Sequence, residues 1–204
     1  IAMRDLEIRG AGNLLGAEQH GHMEAVGYDL YCKMLNEAVK LLKGEIEEEP
    51  YNTTVDINVD AFIPSSYIPN EYQKLDIYKR IASIENEEEM DDMMEELIDR
   101  YGDVPRKVQQ LLNIALLKAL AHSAYVIAVE QKGDVFKFIM YEKAKVKVDQ
   151  IPALIQKYRG NLQFKIDTNP YFIYQKKARN KKEKDEDLIE LVKNVLNDIK
   201  LLND

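Results

Sequence analysis

Residues 86–102, NEEEMDDMMEELIDRYG, carry the clearest structural pattern in this sequence, that of an amphipathic helix. Asn86 is followed three residues later by Glu89, an arrangement typical of a helix N-terminus. The apolar side chains recur at intervals of three and four residues, which places them on one helical face: Met90, Met93, Met94, Leu97, Ile98 and Tyr101. Gly102 ends the pattern, as glycine commonly does. We predict a helix with its apolar face in a core and its acidic face in solvent.

Helical and strand patterns flank this helix on both sides. Further helices are predicted at about 71–84, from about 103 to 122, at 151–158 and around 188–202. Alternating apolar and polar residues predict strands at 54–60, 125–130, 135–141, 145–148, 161–166 and 171–174, with the last two paired. Strands interspersed with helices, without regular alternation of the two, indicate an α+β fold. We expect a mixed domain with a small, largely antiparallel sheet packed by helices.

The first 44 residues follow a different pattern. Five glycines fall between positions 10 and 27, and residues 28–42 then have the spacing of an amphipathic helix. Its apolar face comprises Leu30, Tyr31, Met34, Leu35, Ala38 and Leu42. Gly44 ends this helix, and the acidic stretch 45–50 closes on a proline. We predict an N-terminal helical hairpin at 1–44, a linker at 45–52 and the mixed domain at 53–204.

Composition limits the classes of function. The net charge is −8, whereas a domain that grips duplex DNA usually carries a basic stripe to neutralise phosphates. No apolar run approaches the roughly 20 residues of a membrane-spanning helix, and no signal-peptide pattern is present. Cys32 is the single cysteine, which excludes an internal disulfide and fits a reducing compartment. We expect a cytoplasmic protein with no membrane partner, and the opening IAMRD predicts a piece of a longer chain.

The sequence contains no recognisable catalytic constellation. The phosphate-loop pattern G-x-x-x-x-G-K-[ST] is missing, and the glycines at 10–16 depart from the dinucleotide-binding spacing. His20 and His22 lack further ligands at metal-site spacing, so ordinary loop histidines are favoured, and Cys32 is interpreted as a packed thiol. The acidic run 85–99 could hold a cation, but its periodicity favours a solvated face that could also dock arginines. We expect no enzyme activity, cofactor or metal in this chain.

Residues 5–22, DLEIRGAGNLLGAEQHGH, resemble the translocation motif shared by RecG branch-migration helicases and transcription-repair coupling factors. Residues 26–39 are similar to the coupling-factor form of the motif. From about residue 51 the chain resembles that family's C-terminal domain, notably in FIP at 62–64, YKRIA at 78–82 and ELIDRYG at 96–102. Since RecG proteins have no such domain, the chain is identified as a C-terminal part of the transcription-repair coupling factor family.

This resemblance implies a role for the hairpin. In the family the motif couples ATP hydrolysis to movement on double-stranded DNA, and its functional arginine and glutamine match Arg9 and Gln19. A guanidinium and an amide can exchange hydrogen-bond partners as ATPase lobes open and close. The alternative is that the two residues only hold the hairpin together. His20 departs from the family pattern, which usually has a serine there. ATP and Mg²⁺ would belong to the parent protein, whose ATP-site motifs lie outside this sequence.

The resemblance implies autoinhibition for residues 53–204. The domain would dock on the parent's own N-terminal excinuclease-B-like module, mask its binding of excinuclease A, and restrain the motor until stalled RNA polymerase is engaged. Glu96 and Asp99 lie one helical turn apart and are the candidate docking residues for arginines; two solvated surface acids are the alternative. A purely structural cap of the motor, and a hydrolytic or metal-dependent activity, are the competing hypotheses.

Overall fold

The structure is a computed structural model that describes residues 51–176 and 185–203. The predicted hairpin at 1–44, with Arg9, Gln19, His20, His22 and Cys32, lies outside the described residues. The described part contains five helices: α1 Glu71–Ala82, α2 Glu87–Tyr101, α3 Arg106–Ser123, α4 Ile151–Lys157 and α5 Asp185–Leu201. It contains five strands: β1 Thr54–Asp56, β2 Val126–Lys132, β3 Val135–Met140, β4 Leu162–Lys165 and β5 Tyr171–Gln175. A short 3₁₀ turn, Val148–Gln150, precedes α4.

The five strands form one mixed sheet in the order β1-β2-β3-β5-β4. β1 runs parallel to β2, with Val55 opposite Val129, and α1 to α3 make the crossover that a parallel pair requires. The other three pairings are antiparallel, and the predicted pairing of β4 with β5 is confirmed, with Phe164 opposite Phe172. The α+β fold with a largely antiparallel sheet is therefore confirmed for the described part of the chain.

Two predicted strands differ in the structure. The first covers only Thr54–Asp56 instead of 54–60. The strand at 145–148 is wrong: the segment enters the 3₁₀ turn, and the Lys147 amide donates to the Leu202 carbonyl at 2.8 Å. Ala144 and Val146 still pack against the core, which explains the alternating pattern. Alternation reports which side chains face inward, but a strand also needs a neighbouring backbone to pair with.

Two hydrophobic clusters meet at α3. The first lies between α1, α2 and α3 and includes the fully buried Ile77, Leu97 and Leu111. The second lies between the sheet and α3, α4 and α5. Its buried members include Leu117 from α3 and Phe138 from β3. Because α3 contributes buried residues to both clusters, it joins them into one domain. Burial of each large apolar side chain stabilises the fold by roughly 1.5–3 kcal/mol.

Tyr51 anchors the beginning of the described domain. Its ring stacks on Tyr141 with centroids 4.7 Å apart and lies 4.5 Å from the His122 ring. Its hydroxyl donates to the His122 carbonyl at 2.6 Å, and the Thr53 hydroxyl donates to the Val126 carbonyl at 2.9 Å. The chain is therefore fixed from residue 51 onward at the end of the sheet where β2 begins and β3 ends.

Among the helices of the described ranges, none combines the length and the apolar character needed to cross a membrane.

Candidate interdomain docking site

Helix α2 presents the two predicted docking acids, and its ends are fixed by local contacts. The Asn86 side chain accepts from the Glu89 amide at 2.9 Å, and the Glu89 carboxylate accepts from the Glu85 amide at 2.8 Å. The first bond satisfies a donor that the helix N-terminus leaves free, and the second fixes the residue that precedes the cap. At the other end, the Tyr67 hydroxyl donates to the carbonyls of Leu97 and Gly102 at 3.1 and 3.2 Å. The helix is thus held at both termini.

Burial divides α2 into a packed side and an acidic side. Met93 and Leu97 are buried in the first cluster, and Met90, Met94 and Tyr101 pack against it. Ile98, which the sequence pattern places on the apolar face, is instead 49% exposed. The buried apolar face of α2 is therefore narrower than predicted, because α1 and α3 cover only one side of this helix. The acidic residues of the opposite side face solvent, as predicted.

Glu96 is held by two arginines of the same domain. The Arg80 guanidinium from α1 makes a two-bond fork with the carboxylate: Nη1 donates to Oε1 at 2.6 Å, and Nη2 donates to Oε2. Arg100, one turn further along α2, donates to Oε1 at 2.8 Å. A bidentate pair is the strongest geometry available to an arginine and a carboxylate. Glu96 therefore ties α1 to α2.

These contacts set the protonation state of the site. The hydrogen bond from Arg80 has the largest effect on the pKa of the Glu96 carboxyl, followed by the hydrogen bond from Arg100, and both lower it. Burial raises this pKa by a smaller amount, and the resulting pKa is about 2. The hydrogen bond to Glu96 in turn raises the pKa of Arg80. Glu96 is charged and occupied by internal partners at neutral pH.

Asp99 is the outward-facing member of the predicted pair. Its side chain is exposed, and it has no hydrogen bond or ion pair within the described ranges. The structure thus places Glu96 and Asp99 one turn apart on α2 but gives them different surroundings. Glu96 already binds arginines, whereas the Asp99 carboxylate is available to a partner.

A shallow depression of about 250 Å³ lies beside Glu96 where the α1–α2 connection turns. Its lining contains three carboxylates, one guanidinium and an apolar floor: Arg80, Ser83, Ile84, Glu89, Asp92, Met93 and Glu96. Its net negative charge matches a cationic side chain better than an anion. Within residues 51–176 and 185–203, no group of three or more His, Cys, Asp or Glu side chains could hold a metal ion.

The sequence patterns do not identify Arg80 as a residue of this site. Arg100 follows Glu96 by four residues, a spacing that brings two side chains together on any helix and could have indicated the contact. Arg80 precedes Glu96 by sixteen residues and belongs to another helix, so only the packing of α1 on α2 brings it close. No local periodicity carries that information.

The comparisons with known proteins agree with this fold. The TRCF domain family matches residues 57–151. The transcription-repair-coupling factor of Bacillus subtilis (strain 168) is 43% identical over 150 residues, covering 73% of this chain and 13% of that protein. The corresponding protein of Staphylococcus haemolyticus (strain JCSC1435) is 47% identical over 146 residues, covering 71% and 12%. The chain thus spans about an eighth of the length of these curated relatives.

A solved structure provides a further comparison. The crystal structure of a C-terminal domain of transcription-repair coupling factor superposes with a TM-score of 0.56 at 28% sequence identity. The match covers 76% of this chain and 97% of that one. The similarity in sequence and in fold points to the same kind of domain.

Proposed function

This chain carries the TRCF domain of the transcription-repair coupling factor family, and on that premise we propose that residues 53–204 act as an autoinhibitory docking domain. The domain would bind the parent protein's own N-terminal excinuclease-B-like module and mask the surface that takes excinuclease A. It would also restrain the motor until the parent protein engages stalled RNA polymerase. Within a parent whose ATPase acts on double-stranded DNA, this chain would itself be non-catalytic.

The exposed acidic side of α2 is the observation that carries this proposal. Met93 and Leu97 fix the helix on the core, so its outward carboxylates stand on a rigid support. Asp99 is unpaired within the described part of the chain and can take a partner's arginine, whereas Glu96 is already held by Arg80. A contact built on such surface charges is modest in energy and can be broken, as a regulatory contact must be.

The hairpin has a separate proposed role. Arg9 and Gln19 would couple ATP hydrolysis in the parent's motor to translocation, using ATP and Mg²⁺ bound outside this chain. This role rests on the resemblance of residues 5–22 to the translocation motif. A substitution of Arg9 by alanine in the full-length parent should abolish DNA translocation while DNA-stimulated ATP hydrolysis continues. Loss of hydrolysis and translocation together would indicate a structural role instead.

Removal of the domain tests the autoinhibition proposal directly. The full-length parent is compared with a version truncated after Gly44, and two quantities are measured together: capture of excinuclease A and basal DNA-stimulated ATP hydrolysis. We expect both to rise on truncation. If neither changes while the truncated protein stays folded, the domain is a structural cap and the regulatory proposal is wrong.

A charge reversal tests whether the domain acts through the acidic side of α2 and not simply by being present. Asp99→Lys in the full-length parent should raise capture of excinuclease A towards the level of the truncated protein. Glu142→Lys is the matched control, because Glu142 is also exposed and unpaired within the described residues but lies after β3, away from α2. Equal effects of the two substitutions would attribute the change to net charge and contradict docking through α2.

A further inference from the structure

One edge of the sheet is formed by β4. This strand is the last in the order β1-β2-β3-β5-β4, and among the described residues only β5 pairs with it. The opposite edge is β1, which covers three residues only. An edge strand presents unpaired backbone N–H and C=O groups with which another strand can pair. β4 is therefore the longer of the two edges at which the described sheet could be extended.

The register of β4 and β5 identifies the backbone groups that point off this edge. The Gln175 amide donates to the Asn161 carbonyl at 2.7 Å. In an antiparallel ladder such hydrogen-bonded pairs alternate with pairs whose backbone groups point away from each other. The N–H and C=O groups of Leu162 and Phe164 therefore point away from β5. Within the described ranges no other backbone or side chain forms a hydrogen bond with them.

The edge also carries apolar side chains. Leu162 is buried and Phe164 is half-buried against Phe172, with ring centroids 4.8 Å apart. Ile166, the first residue after β4, is 87% exposed, the largest fraction among the exposed apolar residues of the described chain. Natural edge strands are usually protected from pairing by charges or prolines, and residues 162–166 contain only Lys165 of that kind. This edge is thus poorly protected.

The edge is complementary to itself. Two copies of β4 related by a two-fold axis at Phe164 would run antiparallel, with Leu162 of each copy opposite Ile166 of the other. The backbone groups that point off the edge then face one another, as hydrogen-bonded pairs require. On the other face of the strand, Gln163 of each copy lies opposite Lys165 of the other, so no like charges meet.

The remaining charges around the edge are compatible with this pairing. Between positions 157 and 168 they are Lys157, Arg159 and Asp167, and Lys157 is paired with Asp198 at 2.7 Å. Arg159 precedes β4 and Asp167 follows it, so the antiparallel arrangement brings each copy's base towards the other copy's acid. The net charge of −8 on each chain opposes association in general, and salt screens that repulsion.

We propose that β4 is a homodimerisation edge, at which two copies of this chain pair antiparallel about Phe164. The two sheets would become one continuous sheet, and Ile166 of each copy would be covered by the other copy. The interface is isologous, so it closes after two copies and does not build a filament. The inference concerns the described domain alone and does not depend on the autoinhibitory role.

The full 204-residue chain is tested under reducing conditions, which prevent a disulfide through Cys32. Sedimentation equilibrium over a concentration series should show a reversible monomer–dimer equilibrium. Amide hydrogen exchange locates the interface, because the Phe164 amide should exchange more slowly as the dimer forms. The Phe138 amide is the internal reference, since it lies on β3 inside the sheet and its exchange should not depend on dimerisation.

Charge variants test the register. Gln163→Lys places an ammonium opposite Lys165 of the other copy, twice in each dimer, and should raise the dissociation constant of the dimer roughly 2- to 30-fold. Gln163→Glu should lower it, because the same position then attracts Lys165. Gln73→Lys is the matched control: Gln73 is exposed on α1, which packs in the first cluster away from β4, and its change should leave the dimer unaffected.

Three results would overturn the proposal. The chain could remain monomeric at every concentration. It could form a dimer whose dissociation constant responds equally to the changes at Gln163 and at Gln73, which would assign the contact to another surface. The Phe164 amide could also be protected already in the monomer, which would mean that another part of this chain covers the edge.

Discussion

Replacing Glu96 by glutamine should destabilise the domain by about 1 kcal/mol at neutral pH. The change keeps the shape of the side chain but removes the charge that binds Arg80 and Arg100. Exposed ion pairs are worth roughly 0.2–1 kcal/mol, and the two-bond geometry of Arg80 with Glu96 puts this pair at the upper end. The side chains of Arg80 and Glu96 remain 40% and 31% exposed, so solvent screening keeps the effect near that value.

The effect should also depend on pH in a defined direction. The Glu96 pKa falls from 4.5 to about 2 in the folded domain, so the folded state binds its proton less readily than the unfolded state. The contribution is therefore fully present above pH 4.5 and is lost as pH falls towards 2. We expect the stability difference between wild type and Glu96→Gln to shrink across that window.

Urea denaturation at pH 7, 4.5 and 3 measures both quantities. Glu95→Gln is the matched control, because Glu95 is exposed on the same helix and has no ion pair or hydrogen bond within the residues described. If Glu96→Gln and Glu95→Gln have equal free energies of unfolding at every pH, the arginine contacts do not stabilise the domain and the reasoning fails.

Three other predictions concern the helices. Asn86→Ala removes the cap that accepts from the Glu89 amide and should cost about 1 kcal/mol in urea denaturation, with hydrogen exchange accelerated in the first turn of α2. Gly102→Ala should cost about 1–3 kcal/mol, because the backbone there has φ +80° and ψ −159°, a conformation that side chains disfavour; an unchanged unfolding midpoint would contradict this. Burial and then the hydrogen bond to Asp198 raise the pKa of Tyr158, so the stability it contributes is present below pH 10 and lost progressively above it. In thermal unfolding, Tyr158→Phe should make the midpoint temperature fall less steeply with pH above 10 than it does in the wild type. An equally steep fall in both proteins would mean that other groups cause the loss of stability at alkaline pH.

The elements that the sequence predicts well are those whose signals are local. Helix α2 follows from the Asn86 cap, the methionine spacing and Gly102, all of which lie within 17 consecutive residues. The turn between β2 and β3 likewise depends on a local feature, since Gly133 adopts a positive φ of 58° that glycine tolerates. The residues that determine these features are neighbours in the chain, so one sequence suffices to predict them.

Features that depend on distant contacts escape such prediction. The segment 145–148 alternates like a strand, but the helix C-terminus at Leu202 provides its hydrogen-bond acceptor. Lys74 is fully buried, with its ammonium donating to the Ser65 hydroxyl at 2.8 Å, although lysine is almost never placed in a core. The same holds for Arg80 at the candidate site, whose contact with Glu96 needs α1 and α2 already packed.

The internal arginines also change what the two docking acids should contribute. A partner arginine that approaches Glu96 meets a carboxylate already bound by two guanidiniums, and their like charge opposes its approach. Asp99 carries no such competitor among the residues described. If docking uses this side of α2, Asp99→Asn should therefore raise capture of excinuclease A by the full-length parent several-fold more than Glu96→Gln does. The opposite order would mean that a partner displaces Arg80 from Glu96, so that docking itself would open the contact between α1 and α2.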